Sequence, residues 1–268
     1  MHVLTSRHGA GLDRADWLAT EEPLEIRVQG PGQEPASVSI TMRTPGHDYA
    51  LAVGFLYAEG LIRSRAELVD LTPDSSTPDG QPCNIVTVRL SHPFDPTSLQ
   101  RHFYTTSSCG ICGKASLEQI AVHCGPVAPG PVLARSVLLD LPATLRQAQQ
   151  IFEQTGGLHA SGLFDVSGRL LMHREDVGRH NAVDKLIGQR VLAGNIPLTE
   201  QILLVSGRTS LEIMQKAAMA QVPIVCAVSA PSSLAVEVAQ RFRMTLIGFL
   251  RDQSFNLYTH PERLALES

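Results

Sequence analysis

Two short runs constrain this chain more than anything else in it: Ile202-Leu-Leu-Val205 and Ile224-Val-Cys-Ala-Val228 contain no polar side chain except a thiol. A strand with one face in water alternates apolar and polar residues. An unbroken apolar run of strand length therefore belongs to a strand covered on both faces, as in a parallel sheet between helix layers. The flanking segments match. Ser210 to Ala220 and Ser232 to Phe242 carry apolar residues at helical spacing, each opens on a serine suited to cap a helix, and Thr245 to Leu250 reads as a further strand. Upstream, Arg179 to Leu192 and Pro142 to Gln154 read as helices, and Ala160 to Val166 with Arg169 to His173 as a hairpin turning at Ser167-Gly168. The second half is expected to be a three-layer α/β/α domain.

The first half has a different grammar. Leu24, Ile26 and Val28, then Val38, Ile40 and Met42, alternate about Gly30-Pro31-Gly32, which predicts a β-hairpin. Asp48 to Ile62 reads as a helix closed by Gly60, Thr72 to Pro82 as a polar surface loop, and Ile85 to Leu90 as another strand. Gly125 to Pro131 holds three prolines and two glycines in seven residues, so it is the best linker candidate. The expected division is an α+β domain over 1–125 and the α/β/α domain over 126–268.

Charge and cysteine usage exclude several functions. Lys and Arg number 22 against 26 Asp and Glu, a net charge of −4, so no positive field gathers a nucleic acid. Met1 to Leu18 carries Arg7, Asp13, Arg14 and Asp16 and lacks the apolar run of a secretory signal, and the charge-poor stretch Ala217 to Val236 is broken by Gln221, Pro223 and Pro231. A cytoplasmic protein without membrane contact is expected. Five cysteines, an odd number, argue against a secreted disulfide framework.

Parallel strands present their carboxyl ends at one edge, where ligands sit. Here that edge carries Ser206-Gly207-Arg208-Thr209-Ser210, Ser229 to Ser233, and Arg251 to Ser254. Helix N-termini, hydroxyls and two arginines suit a diphosphate, although any one loop taken alone is more often an ordinary cap or turn. The pair Cys109-Gly110-Ile111-Cys112 is open to three uses: half a zinc site, a redox disulfide, or a thiolate that hands on sulfur. Zinc needs a second close ligand pair, which is missing, so no structural zinc is expected. Redox chemistry prefers a strand-to-helix junction, whereas glycines and serines make this stretch a loop. Cys226, inside an apolar strand, reads as core packing.

Six stretches then carry a resemblance: TPGHDYALAVGFLYAEGLI (44 to 62), SSCGICG (107 to 113), TGGLHASGLFD (155 to 165), REDVGRHNAVDKLIG (174 to 188), SGRTSLEIMQKA (206 to 217) and TLIGFLRDQSFNLYTHPERL (245 to 264). In this order, over nearly the whole chain, they are similar to the FdhD family, the formate dehydrogenase accessory sulfurtransferases. The resemblance implies a sulfur carrier that takes persulfide sulfur from a cysteine desulfurase. It implies delivery of that sulfur to the bis(molybdopterin guanine dinucleotide) form of the molybdenum cofactor, before insertion into the formate dehydrogenase catalytic subunit. It implies a persulfide on Cys109 with Cys112 as its partner, cofactor contacts from Phe249, Leu250, Arg251, Asp252, Gln253 and Ser254, and a second half similar to the cytidine deaminase fold. On that basis GDP is the expected mimic of the cargo. Ser206, Gly207 and Arg208 are expected to hold its phosphates, His159 to line its pocket, and His180, with Arg179 and Asn181, to face it. The alternative for the polar stretch from Glu175 to Lys185 is a solvated helix start. Deamination is not expected: the zinc deaminase order is H-x-E before P-C-x-x-C, whereas here the CxxC precedes His159-Ala-Ser161 and the glutamate is absent. A cargo with two guanosine diphosphate arms fits a symmetric homodimer. The rival reading is a non-enzymatic guanine-nucleotide-binding module stabilised by zinc on Cys109, Cys112, Cys124 and Cys83 or His123.

Overall fold

A four-stranded and a six-stranded sheet, with two small two-stranded pairings, are joined through helices in a computed structural model that describes residues 1–7, 10–73, 84–95, 118, 120, 121 and 124–265. Strands β1 (His2–Arg7) and β2 (Ala10–Ala15) form a separate hairpin. Next come β3 (Glu22–Gln29) and β4 (Ala36–Arg43), the expected hairpin, then β5 (Leu68–Pro73) and β6 (Ile85–Leu90), in a four-stranded mixed sheet of order β4-β3-β6-β5. The β5 strand escaped the sequence pattern because Val69 and Asp70 break its alternation at a bulge against β6. Cys83, Cys109, Cys112, Lys114 and His123, and most of the predicted loop from Thr72 to Pro82, lie outside the described residues.

Helix α1 (Asp48–Ala58) covers the inner face of that sheet. Leu51, Val53, Leu56 and Tyr57 are all buried, at positions spread around the whole helix, so α1 needs cover on every side. It ends as expected at Gly60, in the left-handed region at φ 71°. Gly60 N–H donates to Tyr57 O and Leu61 N–H to Leu56 O, closing the last carbonyls.

The second half begins with β7 (Leu133–Ala134) and α2 (Arg135–Ala148), which starts seven residues before the predicted point and holds Pro142 inside it. The helix then breaks at Gln149, and α3 (Gln150–Thr155) follows, so the single helix expected over 142–154 is two. Strands β8 (His159–Phe164) and β9 (Leu170–Asp176) make the predicted hairpin, with Gly168 at φ 83°. Then follow α4 (Arg179–Leu192), β10 (Ile202–Val205), α5 (Leu211–Met219), β11 (Ile224–Ala227), α6 (Ser233–Arg241), β12 (Thr245–Arg251), β13 (Ser254–Thr259) and β14 (Leu264–Ala265). The six-stranded sheet runs β13-β12-β11-β10-β8-β9, with β10, β11 and β12 parallel. On one face Leu203, Val205, Val225 and Leu246 pack on α4, α5 and α6. On the other Leu204, Ile224, Cys226 and Ile247 pack on Leu138, Leu141 and Leu145 of α2. This is the three-layer arrangement that the two apolar runs predict.

The expected division at 125/126 runs through a shared core, because one buried cluster extends from Leu24 and Val86 to Val225 and Leu246. The Gly125–Pro131 stretch is irregular, as predicted, but it is held. Val127 is buried and its N–H donates to Phe242 O, and Arg263 bonds the carbonyls of Ala128 and Pro129. The halves meet at a seam where α1 crosses α4. There a Cβ on Gly54 would overlap the Asp184 carbonyl, and one on Gly188 the Ala50 carbonyl. Only glycine permits so close an approach.

Candidate functional site

The antiparallel placement of β8 and β9 beside three parallel strands brings five chain segments to one edge. The carboxyl ends of β10, β11 and β12 lie there, and so does the start of β8, because Ser206 N–H donates to Ala160 O and Ala160 N–H to Ser206 Oγ. His159 pairs with Asp176 at the end of β9, so α4 also starts here. The loops are knit together: Thr209 N–H donates to Ala230 O, Ser232 N–H to Thr209 O and Phe249 N–H to Ser229 O. The N-termini of α4, α5 and α6 thus share one rim with His159, Arg179, His180 and Arg208.

The rim leaves polar atoms open. Arg179 Nε, Ser161 Oγ and Thr209 Oγ1 are buried without a hydrogen-bond partner among the described residues. Such groups are costly unless something completes them. Two are hydroxyls and one is a guanidinium N–H, a set that suits an anionic, oxygen-rich ligand. A Cβ on Gly207 would lie 3.2 Å from His159 Nδ1, so the glycine lets the loop approach the ring. Burial lowers the His159 pKa, helped by Arg179 and Arg208 and opposed by Asp176. Burial likewise pushes His180 down to about 4, with Arg179, Lys216 and His159 adding to it and Glu212 opposing it, so both rings are neutral at pH 7. His180 Nε2 lies 3.2 Å from Ser210 Oγ and 3.7 Å from Glu212 Oε2. Burial disfavours the Glu212 charge, yet hydrogen bonds from Ser210 and from its own backbone N–H, with His180 and Arg179, leave it below the usual carboxylate range.

The two serines read as caps differ. Ser232 does cap α6, accepting from Ala235 N–H, whereas Ser210 makes no cap bond and its hydroxyl lies 3.2 Å from His180 Nε2. Sequence reasoning placed Thr209 and Ser210 on this edge but missed Ser161 and Glu212 as rim residues. The only available signal was the positive edge they border.

The stretch from Glu175 to Lys185 is not a solvated helix start, since Asn181 to Gly188 are buried. Only its first turn belongs to the rim. Asn181 is turned away, donating to Met42 O at 2.7 Å and to Asp176 Oδ1 at 3.2 Å, so it ties the sheets together instead of facing a ligand. Asp176 also accepts from Thr44 N–H and Gly178 N–H and lies 2.6 Å from Lys185 Nζ, which donates to Thr44 O. A second buried pair follows: Lys216 Nζ straddles the Asp184 oxygens at 2.8 and 2.9 Å. Burial raises the Asp184 pKa to about 6, and Asp184 and Glu59 outweigh the burial that would lower Lys216, so both groups are charged at pH 7.

The 249–254 stretch divides. Arg251 is the last residue of β12 and pairs with Ser254, so it lies within the strand and not after it. Asp252 (φ 51°) and Gln253 (φ 61°) make the two-residue turn into β13, a strand the sequence reading missed. Arg251 is exposed, with its guanidinium 5.9 Å from the centre of the Phe249 ring. Leu250 is fully buried in the cluster shared with α2, so its side chain serves the core. Of the two described cysteines, Cys226 is fully buried, which pushes its thiol up, and burial raises half-buried Cys124 to about 11. Neither is a thiolate at pH 7. Among the described residues no group of His, Cys, Asp or Glu is arranged to hold a metal ion, and no helix is long and apolar enough to cross a membrane.

Comparison with known proteins places this architecture. A solved structure from Desulfotalea psychrophila, titled a putative formate dehydrogenase accessory protein, shares the fold with a TM-score of 0.75 and 24% identity, covering 99% of this chain and 98% of that one. The sulfur carrier protein FdhD of Streptomyces coelicolor is 46% identical over 99% of this chain and 95% of its own length. That of Nocardia farcinica is 48% identical over 94% and 89%, and that of Thermoplasma volcanium 43% over 95% and 91%. The FdhD/NarQ family model matches residues 19–265, and with relatives this similar over nearly full length the chain belongs to the FdhD/NarQ family.

Proposed function

We propose that this protein is a sulfur carrier that takes persulfide sulfur from a cysteine desulfurase onto Cys109 and passes it to a bis(molybdopterin guanine dinucleotide) molybdenum cofactor bound for formate dehydrogenase. Relatives of near-identical length carry the name sulfur carrier protein, which supports sulfur handling. The observation that supports a nucleotide-bearing cargo is the rim itself: three helix N-termini, Arg179 and Arg208 gather at an edge with buried polar atoms that have no partner among the described residues. A diphosphate satisfies such donors.

In the loading step the Cys109 thiolate attacks the outer sulfur of the desulfurase persulfide. A new S–S bond forms as the old one breaks, and the desulfurase cysteine leaves as a thiolate, so no outside oxidant is needed. Cys112 stands three residues beyond, where a second thiol can assist release. The rim's part is to bind and orient. Arg208 and Arg179 offer charge-assisted donors to phosphate, while the neutral rings of His159 and His180 offer uncharged nitrogens. A symmetric homodimer gives each guanosine diphosphate arm one rim, and mass measurement in solution tests it.

Mass spectrometry after incubation with a cysteine desulfurase and cysteine tests the loading step. A gain of about 32 Da, one sulfur atom, is expected on the peptide that contains Cys109. An unmodified peptide overturns the reading. A tightly held zinc that is lost when Cys109 and Cys112 are both replaced overturns it in favour of a zinc-stabilised nucleotide-binding module.

A further inference from the structure

Helix α4 starts at the rim with Arg179 and, ten residues on, lines a cavity of about 520 Å³ with Gln189 and Leu192. No rim residue lines this cavity, and its volume falls in the range of small-molecule sites, about 300–1,000 Å³. Leu24 of β3, Ile85 and Val86 of β6, and Leu192 give it an apolar wall. Its polar lining is not used up by the fold. Gln189 Oε1 accepts from Arg174 Nη2 at 3.5 Å, and because a guanidinium can only donate, the amide N–H groups are left over. The Tyr49 hydroxyl and the His47 ring have no hydrogen-bond partner among the described residues, and His47, left-handed at φ 58°, stands at the start of α1 without capping it. The carboxylate in the lining, Asp48, is held by Arg43 at 3.0 and 3.1 Å. Arg174, which reaches the lining through Gln189, is the opposite case. Its Nε is buried without a partner, its Nη1 donates to His173 O, and no carboxylate pairs with it among the described residues. The buried cations Arg43, Lys185 and Lys216 each have one. A half-buried cation without a counter-ion, beside a cavity with an apolar wall, suits an anion with an apolar body.

We propose that this cavity is a second ligand site, for a small organic carboxylate whose apolar body lies on Leu24, Ile85, Val86 and Leu192 and whose charge is matched by Arg174. Gln189 and Tyr49 supply the neutral donors that orient the carboxylate oxygens. One unpaired guanidinium matches one negative charge. A diphosphate, with several, would leave most of its charge uncompensated against an apolar wall, so the cavity and the rim select different anions. The site is independent of the cargo reading, since it shares no residue with the rim.

Fluorescence titration of the full chain with 2-naphthoate tests the site, and 2-naphthamide, its neutral isostere, reads the apolar part alone. The wild-type protein is expected to bind naphthoate more tightly than naphthamide. Arg174→Met should weaken naphthoate roughly ten- to a hundredfold, the scale of a charge-assisted contact, and leave naphthamide unchanged, while Arg174→Lys keeps most of the difference. Leu192→Trp fills the cavity and should remove both. NMR of methyl-labelled wild-type protein locates the probe without any variant: its ring protons should show contacts to the methyls of Leu24, Val86 and Leu192. Contacts confined to exposed apolar residues such as Leu4 and Leu12 overturn the proposal. So does failure of the wild-type protein to bind naphthoate, equal affinity for the two probes, or an equal loss of both in Arg174→Met.

Discussion

At the seam between the sheets, Asp176 alone takes hydrogen bonds from Thr44, Gly178 and Asn181 and pairs with Lys185, while Lys216 spans both oxygens of Asp184. At the rim, reached by going back to the start of the same helix α4, Arg179 Nε is buried with no hydrogen-bond partner among the described residues. The two regions draw on one stretch of sequence and use the same residue types. Their difference shows how to separate structural from ligand-facing polarity in a motif rich in both: the seam carboxylates are each paired with a buried lysine, whereas the buried guanidinium and hydroxyls of the rim have no protein partner among the described residues.

Breaking the seam gives the largest expected effect. Lys216→Met strands the Asp184 carboxylate where it is 2% exposed, and losing one partner of a buried pair costs about 3–5 kcal/mol. Denaturant unfolding checks it, and replacing both partners by apolar residues should recover most of the loss. An unchanged midpoint in Lys216→Met would mean that the seam is solvated.

Gly188→Ala tests the helix crossing. Its methyl meets the Ala50 carbonyl, so α1 and α4 must part, which costs roughly 1–3 kcal/mol as overpacking does. Thermal melts of Gly188→Ala and of an exposed control should differ by that amount. Equal melting would show that the crossing has slack.

A smaller effect belongs to the rim histidine. The folded state favours neutral His180, whose pKa falls from 6.5 to about 4. The stability it contributes is present above the unfolded value and is lost as pH drops from 6.5 toward 4. With the side chain 35% exposed, the loss discounts to about 1–2 kcal/mol. Melting in His180→Asn should therefore fall less steeply across that pH window than in the wild-type protein, and parallel slopes would show that the ring is solvated.

How much of this was legible in the sequence depends on range. The runs at 202–205 and 224–228 announced a sheet covered on both faces, and the structure has one, because an uninterrupted apolar strand has no other place to go. Local punctuation also held at Gly60 and Gly168, where the chain turns left-handed. What stayed hidden was tertiary. Nothing local tells that Gly54 and Gly188 face each other, that Asn181 reaches Met42, or that Lys216 pairs with Asp184 across 32 positions. The edge itself was visible through strand order, but the addition of His159 to it required knowing that β8 runs antiparallel to β10. Arg251 was placed beyond its strand because the two-residue turn at Asp252-Gln253 lacks the glycine or asparagine that usually marks one.

The measurement that tests the account most directly is calorimetric titration of GDP into the wild-type protein, Arg208→Ala and Arg251→Ala, with melting temperatures taken alongside. Both arginines are exposed at the rim and absent from the seam. Loss of a charge-assisted contact should weaken binding by roughly 1.5–3 kcal/mol, about ten- to a hundredfold, with melting unchanged. Undiminished GDP affinity in both variants would contradict the assignment of the cargo to this edge.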